Sequence, residues 1–210
     1  MANLKGEKRP RFGLQFKLLV TLALLFTAFA LAAFAWGSSY IQQQGMRDAE
    51  DRAVALSDQM DAVWDYVDQN QPAANAYVQE FGEVARGLVC VTAVKSIARD
   101  FNRGNEGEIH VVALNPRNKE DGPDEFEQRA LQAFAADETL EEYSGVGVSE
   151  DGVETYYYLR PRRVTASCLS CQGAPAGEID PLGYKKEGLA EGSVKGAVSV
   201  RESIGASRAD

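Results

Sequence analysis

The first part of the chain contains a long uncharged apolar segment, and no later part of the sequence has a similar one. No residue between Lys17 and Arg47 carries a charge, and the run over residues 18–36 is strongly apolar up to Trp36. A helix of about 20 apolar residues is long enough to cross the hydrocarbon core of a bilayer. The pattern therefore predicts a single transmembrane helix, a signal-anchor, over residues 18–36.

Basic residues on one side of this segment predict its orientation. Loops rich in Lys and Arg stay in the cytoplasm, so residues 1–17 are predicted to form a cytoplasmic tail. The rest of the chain then lies in the periplasm, anchored in the inner membrane. The alternative is a cleaved signal peptide ending near Ala33-Phe34-Ala35, although the apolar cores of signal peptides usually span only about 7–15 residues. The basic residues are Lys5, Lys8, Arg9, Arg11 and Lys17.

A second apolar pattern, with helical spacing, follows the anchor. Between Arg47 and Val67 apolar residues recur every three or four positions with acidic residues between them, which predicts an amphipathic helix. Pro72 ends the pattern, so residues 37–72 are predicted to form a periplasmic stalk. The apolar stripe either packs on the domain that follows or forms a homodimer contact.

From residue 73 onward the pattern changes from helical to strand-like. One helix is predicted over Tyr77–Phe101, and another begins at Pro123, which suits the first helical position. Helices come first along this part of the chain, and strands with one crossing helix follow, which predicts an α+β fold. The predicted domain is a PAS-like antiparallel sheet flanked by helices over residues 73–203. Residues 204–210 are predicted to form a C-terminal tail. The predicted strands are Glu108–Leu114, the hairpin strands Glu142–Val148 and Val153–Val164, and Val194–Val200.

Charge and composition exclude two classes of function. The net charge is −9, and the basic residues are clustered at the N-terminus or scattered, so a nucleic-acid partner is not expected. The chain has one histidine, His110, and no phosphate-binding glycine loop, which leaves no pattern for common catalytic sites. We therefore expect a protein that is not an enzyme.

Two of the three cysteines have the spacing of a c-type haem attachment site. Cys168 and Cys171 are followed by Gln172, at the position where such sites have the histidine that binds iron. The alternative for this pair is a local disulfide. A thioredoxin-like redox motif is not supported, because the strand–helix–strand order around it is missing. Cys90 lies on the apolar face of a predicted helix, where a lone cysteine is usually a small core residue.

Five short segments resemble one known family, the bacterial periplasmic PAS-like c-type haem sensor domains of the Tll type. The resemblance covers roughly residues 78–201. Members of that family occur alone or as extracytoplasmic input domains of histidine kinases, cyclases and chemoreceptors. The segments are Leu114-Asn115-Pro116-Arg117-Asn118, Pro123-Asp124-Glu125-Phe126-Glu127, Tyr158-Leu159-Arg160-Pro161, Cys168-Leu169-Ser170-Cys171-Gln172-Gly173 and Gly196-Ala197-Val198-Ser199-Val200.

This resemblance implies a haem c cofactor and a set of residues that hold it. Cys168 and Cys171 match the attachment pair, and Cys90 matches a helix cysteine that binds iron. Gln172 departs from the family pattern, because an amide oxygen is a weak iron ligand compared with imidazole. His110 is the remaining candidate iron ligand. If haem is absent, no cofactor is expected.

The sequence thus predicts a membrane-anchored periplasmic sensory or ligand-binding domain with a degenerate c-type haem motif. No output domain is expected within the 210 residues, so a signal would pass through the anchor or the periplasmic surface. One alternative is an accessory structural subunit of a larger electron-transfer or photosynthetic membrane complex, with a protein partner in the membrane or periplasm. The other is a small periplasmic c-type cytochrome.

Overall fold

The computed structural model describes residues 13–105 and 107–204. The chain divides into two units, Met1–Gly45 and Met46–Asp210, and each is described by itself. Residues 1–12 of the predicted cytoplasmic tail and residues 205–210 of the predicted C-terminal tail lie outside the described residues.

The first unit is helical and has an exposed apolar surface. Helix α1 begins at Leu14 and continues to Gln69 in the second unit. The window of α1 that contains the predicted transmembrane residues is entirely unburied. In the part of the chain that the structure describes, α1 is the one helix long and apolar enough to be a candidate membrane span, a property that it shares with the core of a signal sequence.

The second unit is an α+β domain built on an antiparallel sheet of four strands, as the sequence predicts. The order of the strands is β1-β4-β3-β2. The predicted hairpin is confirmed as β2 and β3, and the last strand, β4, lies between β3 and β1. The strands are β1 (Glu108–Val112), β2 (Tyr143–Val148), β3 (Glu154–Arg163) and β4 (Val194–Ser203).

The helices of this unit correct two predictions. The single helix predicted over Tyr77–Phe101 is wrong, because Gly82 adopts a φ of 59° that ends the first helix. Pro123 does not begin a helix either. Asp124 caps it, accepting a hydrogen bond from the Glu127 backbone N–H while the Glu127 side chain accepts one from the Asp124 N–H. The helices are α2 (Gln71–Phe81), α3 (Cys90–Asn102), α4 (Glu125–Ala136) and α5 (Leu169–Gln172), with 3-10 turns at Gly82–Leu88, Lys119–Asp121 and Ala166–Cys168.

Helices cover both faces of the sheet. Helix α4 packs on one face, and α3 with the second half of α1 packs on the other. The apolar stripe predicted on the stalk is therefore buried against the sheet. Burying one large apolar side chain contributes about 1.5–3 kcal/mol, so these two layers hold the strands in place. The α4 layer contains Phe126, Leu131, Phe134, Tyr157 and Leu159, and the other contains Met60, Trp64, Val94, Ala98, Ile109 and Val198.

The pairing of β3 with β4 shifts by one residue at the end of β3. Arg162 pairs with Gly196, whereas Arg163 pairs with Val194, so Lys195 is skipped in the ladder. A bulge of this kind bends the strand and changes the direction of the side chain that it carries. Lys195 therefore does not follow the simple alternation of β4.

Glycine is required beside this bulge, where β4 approaches β1. A Cβ atom on Gly196 would lie 2.1 Å from the carbonyl oxygen of Val112. That distance is far inside van der Waals contact, and the clashing atom belongs to backbone that cannot rotate away. Only a residue without a side chain permits the two strands to lie this close.

We expect Gly196→Ala to lower the free energy of unfolding by about 1–3 kcal/mol, because the added methyl group overpacks a rigid contact. Chemical denaturation of the detergent-solubilised chain, followed by circular dichroism, measures this change. Gly104→Ala is the matched control, since nothing lies within 4 Å of a Cβ there, and its effect should stay within about 0.5 kcal/mol. Equal stability of Gly196→Ala and the wild type would contradict the close approach.

Candidate functional site

The cysteine segment forms a short helical turn immediately after β3. Thr165 Oγ1 lies 2.8 Å from Ser167 Oγ and 3.2 Å from Cys168 Sγ. The hydroxyl groups of Thr165 and Ser167 both donate hydrogen bonds to the carboxylate of Asp68, near the end of α1. These bonds attach the turn to α1 and fix the position of the Cys168 sulfur.

A cavity of about 470 Å³ lies beside this turn, and all three cysteines of the chain line it. Its volume is within the range of about 300–1,000 Å³ that ligand pockets occupy. Cys90 reaches it from the start of α3, where its backbone N–H donates to Gln71 Oε1 at 2.7 Å. Cys168 and Cys171 reach it from the helical turn. All three are free thiols in this structure, so the structure does not contain the alternative Cys168–Cys171 disulfide.

Burial raises the pKa of two of these thiols. It raises the pKa of Cys90 to about 12, and it also raises the pKa of Cys171 above its ordinary value. The thiolate is the form that binds metals and reacts with oxidants. Cys90 is therefore neutral at neutral pH, and binding a metal there would release a proton.

Gln172 lines the same cavity but does not present its amide oxygen to it. The residue is among those that line the cavity, whereas its Oε1 atom is enclosed by protein and has no hydrogen-bond partner in the described part of the chain. Leaving a buried acceptor unpaired costs about 1–3 kcal/mol.

Lys195 is a cavity residue that the sequence did not single out. It lines the cavity from the bulge in β4. Burial lowers the pKa of its amine. A lysine beside a glycine inside an otherwise apolar strand is the sequence signal that could have drawn attention to it.

Arg117, part of the Asn-Pro-Arg-Asn segment, holds one side of the cavity together. Its guanidinium donates to Asp180 at 2.7 Å and to Glu187 at 2.7 Å. It also donates to the carbonyl oxygen of Cys171 at 3.1 Å. Hydrogen bonds with these carboxylates raise the pKa of Arg117 despite its partial burial. One side chain thus connects the segment before α4 with the cysteine turn and the loop before β4.

His110 borders the cavity, but its ring is held on the α4 side of the sheet. Its Nδ1 lies 3.2 Å from both carboxylate oxygens of Glu127 and 2.7 Å from Arg201 Nη2. The adjacent residues Ile109 and Val111 pack on the α3 side, as strand alternation requires. The Nδ1 atom is thus engaged in an ion cluster on that side of the sheet, and the prediction that His110 binds iron stays a prediction.

Comparison with known proteins identifies the family. The model of the family described as Tll0287-like matches residues 42–203, most of the chain. The chain therefore belongs to the Tll0287-like family, and the resemblance read from its sequence is confirmed. The solved structure of the cyanobacterial heme-protein Tll0287 is similar at 21% identity and a TM-score of 0.49, over 71% of this chain and 95% of that chain. A comparison with curated proteins found no match.

The His110 ion cluster predicts a loss of stability in acid. Burial favours a higher pKa for Glu127, but His110 and Arg201 together hold it below the ordinary value of about 4.3. Its stabilising contribution is therefore present above that pH and is lost as the pH falls through the folded-state pKa. Glu127→Gln should lower the free energy of unfolding by about 1–3 kcal/mol at about pH 7 and flatten its decline below about pH 5.

Denaturant titrations at a series of pH values measure both effects. Glu125→Gln is the control, because Glu125 lies on the same helix and pairs with Arg129 at the surface, where an ion pair contributes about 0–1 kcal/mol. A Glu127→Gln protein with the acid sensitivity of the wild type would show that another group controls it.

Proposed function

We propose that the domain binds haem in this cavity, with Cys168 and Cys171 as the attachment pair and Cys90 as an iron ligand. One observation carries the proposal: the cysteines of α3 and of the helical turn line a single cavity. Membership of the Tll0287-like family supports it, since Tll0287 itself is described as a heme-protein. We further propose that the protein is a sensory or ligand-binding module rather than an enzyme.

The residues on the cavity wall fit this cofactor. Thiols at the spacing of Cys168 and Cys171 are the groups that c-type attachment uses, and a cysteine thiolate is an established haem-iron ligand. The wall also offers apolar surface for a porphyrin ring. A bound haem would supply an iron centre able to transfer an electron or bind a small molecule. The apolar lining residues are Val89, Val91, Ile109, Val111 and Leu182.

The chain's own residues prepare this site in two ways. Arg117 fixes the backbone of Cys171 through its carbonyl oxygen, so the sulfur is held at the wall of the cavity. Without bound iron the Cys90 thiol is protonated at neutral pH, because burial raises its pKa to about 12. Iron binding at Cys90 therefore competes with a proton, and its affinity should rise with pH.

The apolar part of α1 supports membrane anchoring. It is long enough to span a bilayer, and the basic residues that precede it favour an orientation with the N-terminus in the cytoplasm. We propose that the domain lies in the periplasm on this anchor. That compartment is where the attachment of c-type haem takes place in bacteria, which agrees with the proposed cofactor.

The haem proposal predicts different effects for the two kinds of cysteine. Wild-type protein from a host with haem-attachment machinery should show a Soret band and keep the mass of haem after denaturation. Replacing both Cys168 and Cys171 with alanine should abolish the covalent mass, because these sulfurs form the two thioether bonds. Cys90→Ala should keep the covalent mass and shift the Soret band, because one iron ligand is lost. Intact-mass spectrometry and absorption spectra measure these outcomes.

Ser149→Ala is the control from outside the site. The Ser149 hydroxyl donates to the Val153 carbonyl at the turn between β2 and β3, and Ser149 does not line the cavity, so the variant should retain the wild-type mass and spectrum. A colourless wild type with the mass of the bare chain would overturn the haem proposal. A mass lower by two hydrogens would identify a disulfide instead.

The anchoring proposal predicts the location of the domain. Alkaline phosphatase fused after Asp210 should be active, because the enzyme folds only outside the cytoplasm, and β-galactosidase fused at the same position should be inactive. Fusions after Gly13 should give the reverse pattern and serve as the control. Active β-galactosidase after Asp210 would place the domain in the cytoplasm and contradict the proposal.

A further inference from the structure

Most nitrogen-bearing side chains on the cavity wall are engaged elsewhere. The amine of Lys95 pairs with Asp121 at 2.5 Å. Arg117 is saturated by carboxylates, and a guanidinium keeps its protons and has no lone pair for a metal. The ion cluster with Glu127 holds the His110 ring on the α4 side of the sheet, whereas Cys90 packs on the α3 side. None of these three groups is therefore placed or free to donate to a metal beside Cys90.

Lys195 differs from all of them. Across residues 13–105 and 107–204, no hydrogen bond or ion pair of its amine is found, and it lines the cavity. The Lys195 side chain is half-buried, and it shares the cavity wall with Cys90, Cys168 and Cys171. Its amine is therefore available to a group bound in the cavity.

Gln172 lines the same cavity, but its Oε1 atom is enclosed by protein and is not presented to a bound group. Lys195 is therefore the nitrogen donor that this wall leaves available. Haem iron held by one cysteine would still accept a second ligand.

We infer that Lys195 Nζ is the second iron ligand, in the position that Gln172 leaves without an imidazole. The inference rests on the proposed function, that this cavity holds haem. On binding, the ammonium group releases one proton to solvent and the amine donates its lone pair to iron, whose oxidation state does not change. An amine is a neutral nitrogen donor like imidazole, whereas an amide oxygen is a weak ligand.

The bulge in β4 provides the geometry for this role, because Lys195 is the residue that has no partner in the ladder. Gly196 then allows β4 to rejoin β1 directly after it.

The competing role for Lys195 is an ion pair with a haem propionate, and two variants separate the roles. Lys195→Arg keeps the positive charge but cannot bind iron, and Lys195→Leu removes both properties. If Lys195 is the ligand, both variants should convert ferric haem from low-spin to high-spin, with a Soret band at shorter wavelength and unchanged covalent haem mass. A wild-type spectrum for Lys195→Arg would overturn the inference.

Two further variants control for indirect effects. Lys95→Leu removes another lysine from the same wall and should leave the spectrum unchanged, because the Lys95 amine is held by Asp121. Gln172→His supplies the missing imidazole and should keep the haem low-spin with an altered spectrum. In that background, Lys195→Leu should no longer change the spin state. A continued change would show that Lys195 acts on the haem in some way other than ligation.

A measurement on the wild-type chain keeps the test decisive even if the lysine variants fold poorly. Protein labelled with ¹⁵N in its lysine side chains should show ¹⁵N hyperfine coupling to low-spin ferric iron in pulsed electron paramagnetic resonance. Haem-containing protein without that coupling would overturn the inference alone. Wild-type protein that contains no haem would overturn the proposed function, and the inference with it.

Discussion

The ion pair between Arg117 and Asp180 is the interaction on which the cavity depends. The Asp180 carboxylate is fully enclosed, and the remaining nitrogens of Arg117 bind Glu187 and the carbonyl oxygen of Cys171. One guanidinium thereby connects the segment before α4 with the cysteine turn and with the loop before β4. Removing Arg117 would leave the enclosed Asp180 carboxylate without its counter-charge, and an unpaired buried charge destabilises a fold. The wall of the cavity thus depends on Arg117, whose guanidinium forms its hydrogen bonds with other groups of the protein.

The two faces of the sheet treat their charged groups differently. On the α4 face, His110, Glu127 and Arg201 complete one another. On the cavity side, Lys195 lines the wall, and no hydrogen bond or ion pair of its amine is found within residues 13–105 and 107–204. A polar group that the protein leaves unpaired at a cavity wall is available to water or to a bound group.

The sequence predicted those features that depend on local periodicity. The spacing of apolar residues along the chain predicts the apolar segment of α1, the β2–β3 hairpin and the α+β class, and the structure contains all three. The break at Gly82 was missed because apolar spacing runs through it, and a glycine adopts a positive φ only where the surrounding structure requires it. Cys90 was placed with the other cysteines by family resemblance. Lys195 could not be found by alternation, because the bulge that directs it arises from the pairing of two strands distant in sequence.

Burial of Cys90 has a consequence for the chemical stability of its sulfur. Thiol–disulfide exchange and oxidation proceed through the thiolate. Because burial raises the pKa of this thiol to about 12, very little of it is ionised at neutral pH. Cys90 would therefore resist disulfide exchange and sulfenic acid formation under conditions in which an exposed cysteine reacts. The packing of α3 on the sheet thus protects a sulfur atom as well as contributing apolar contacts.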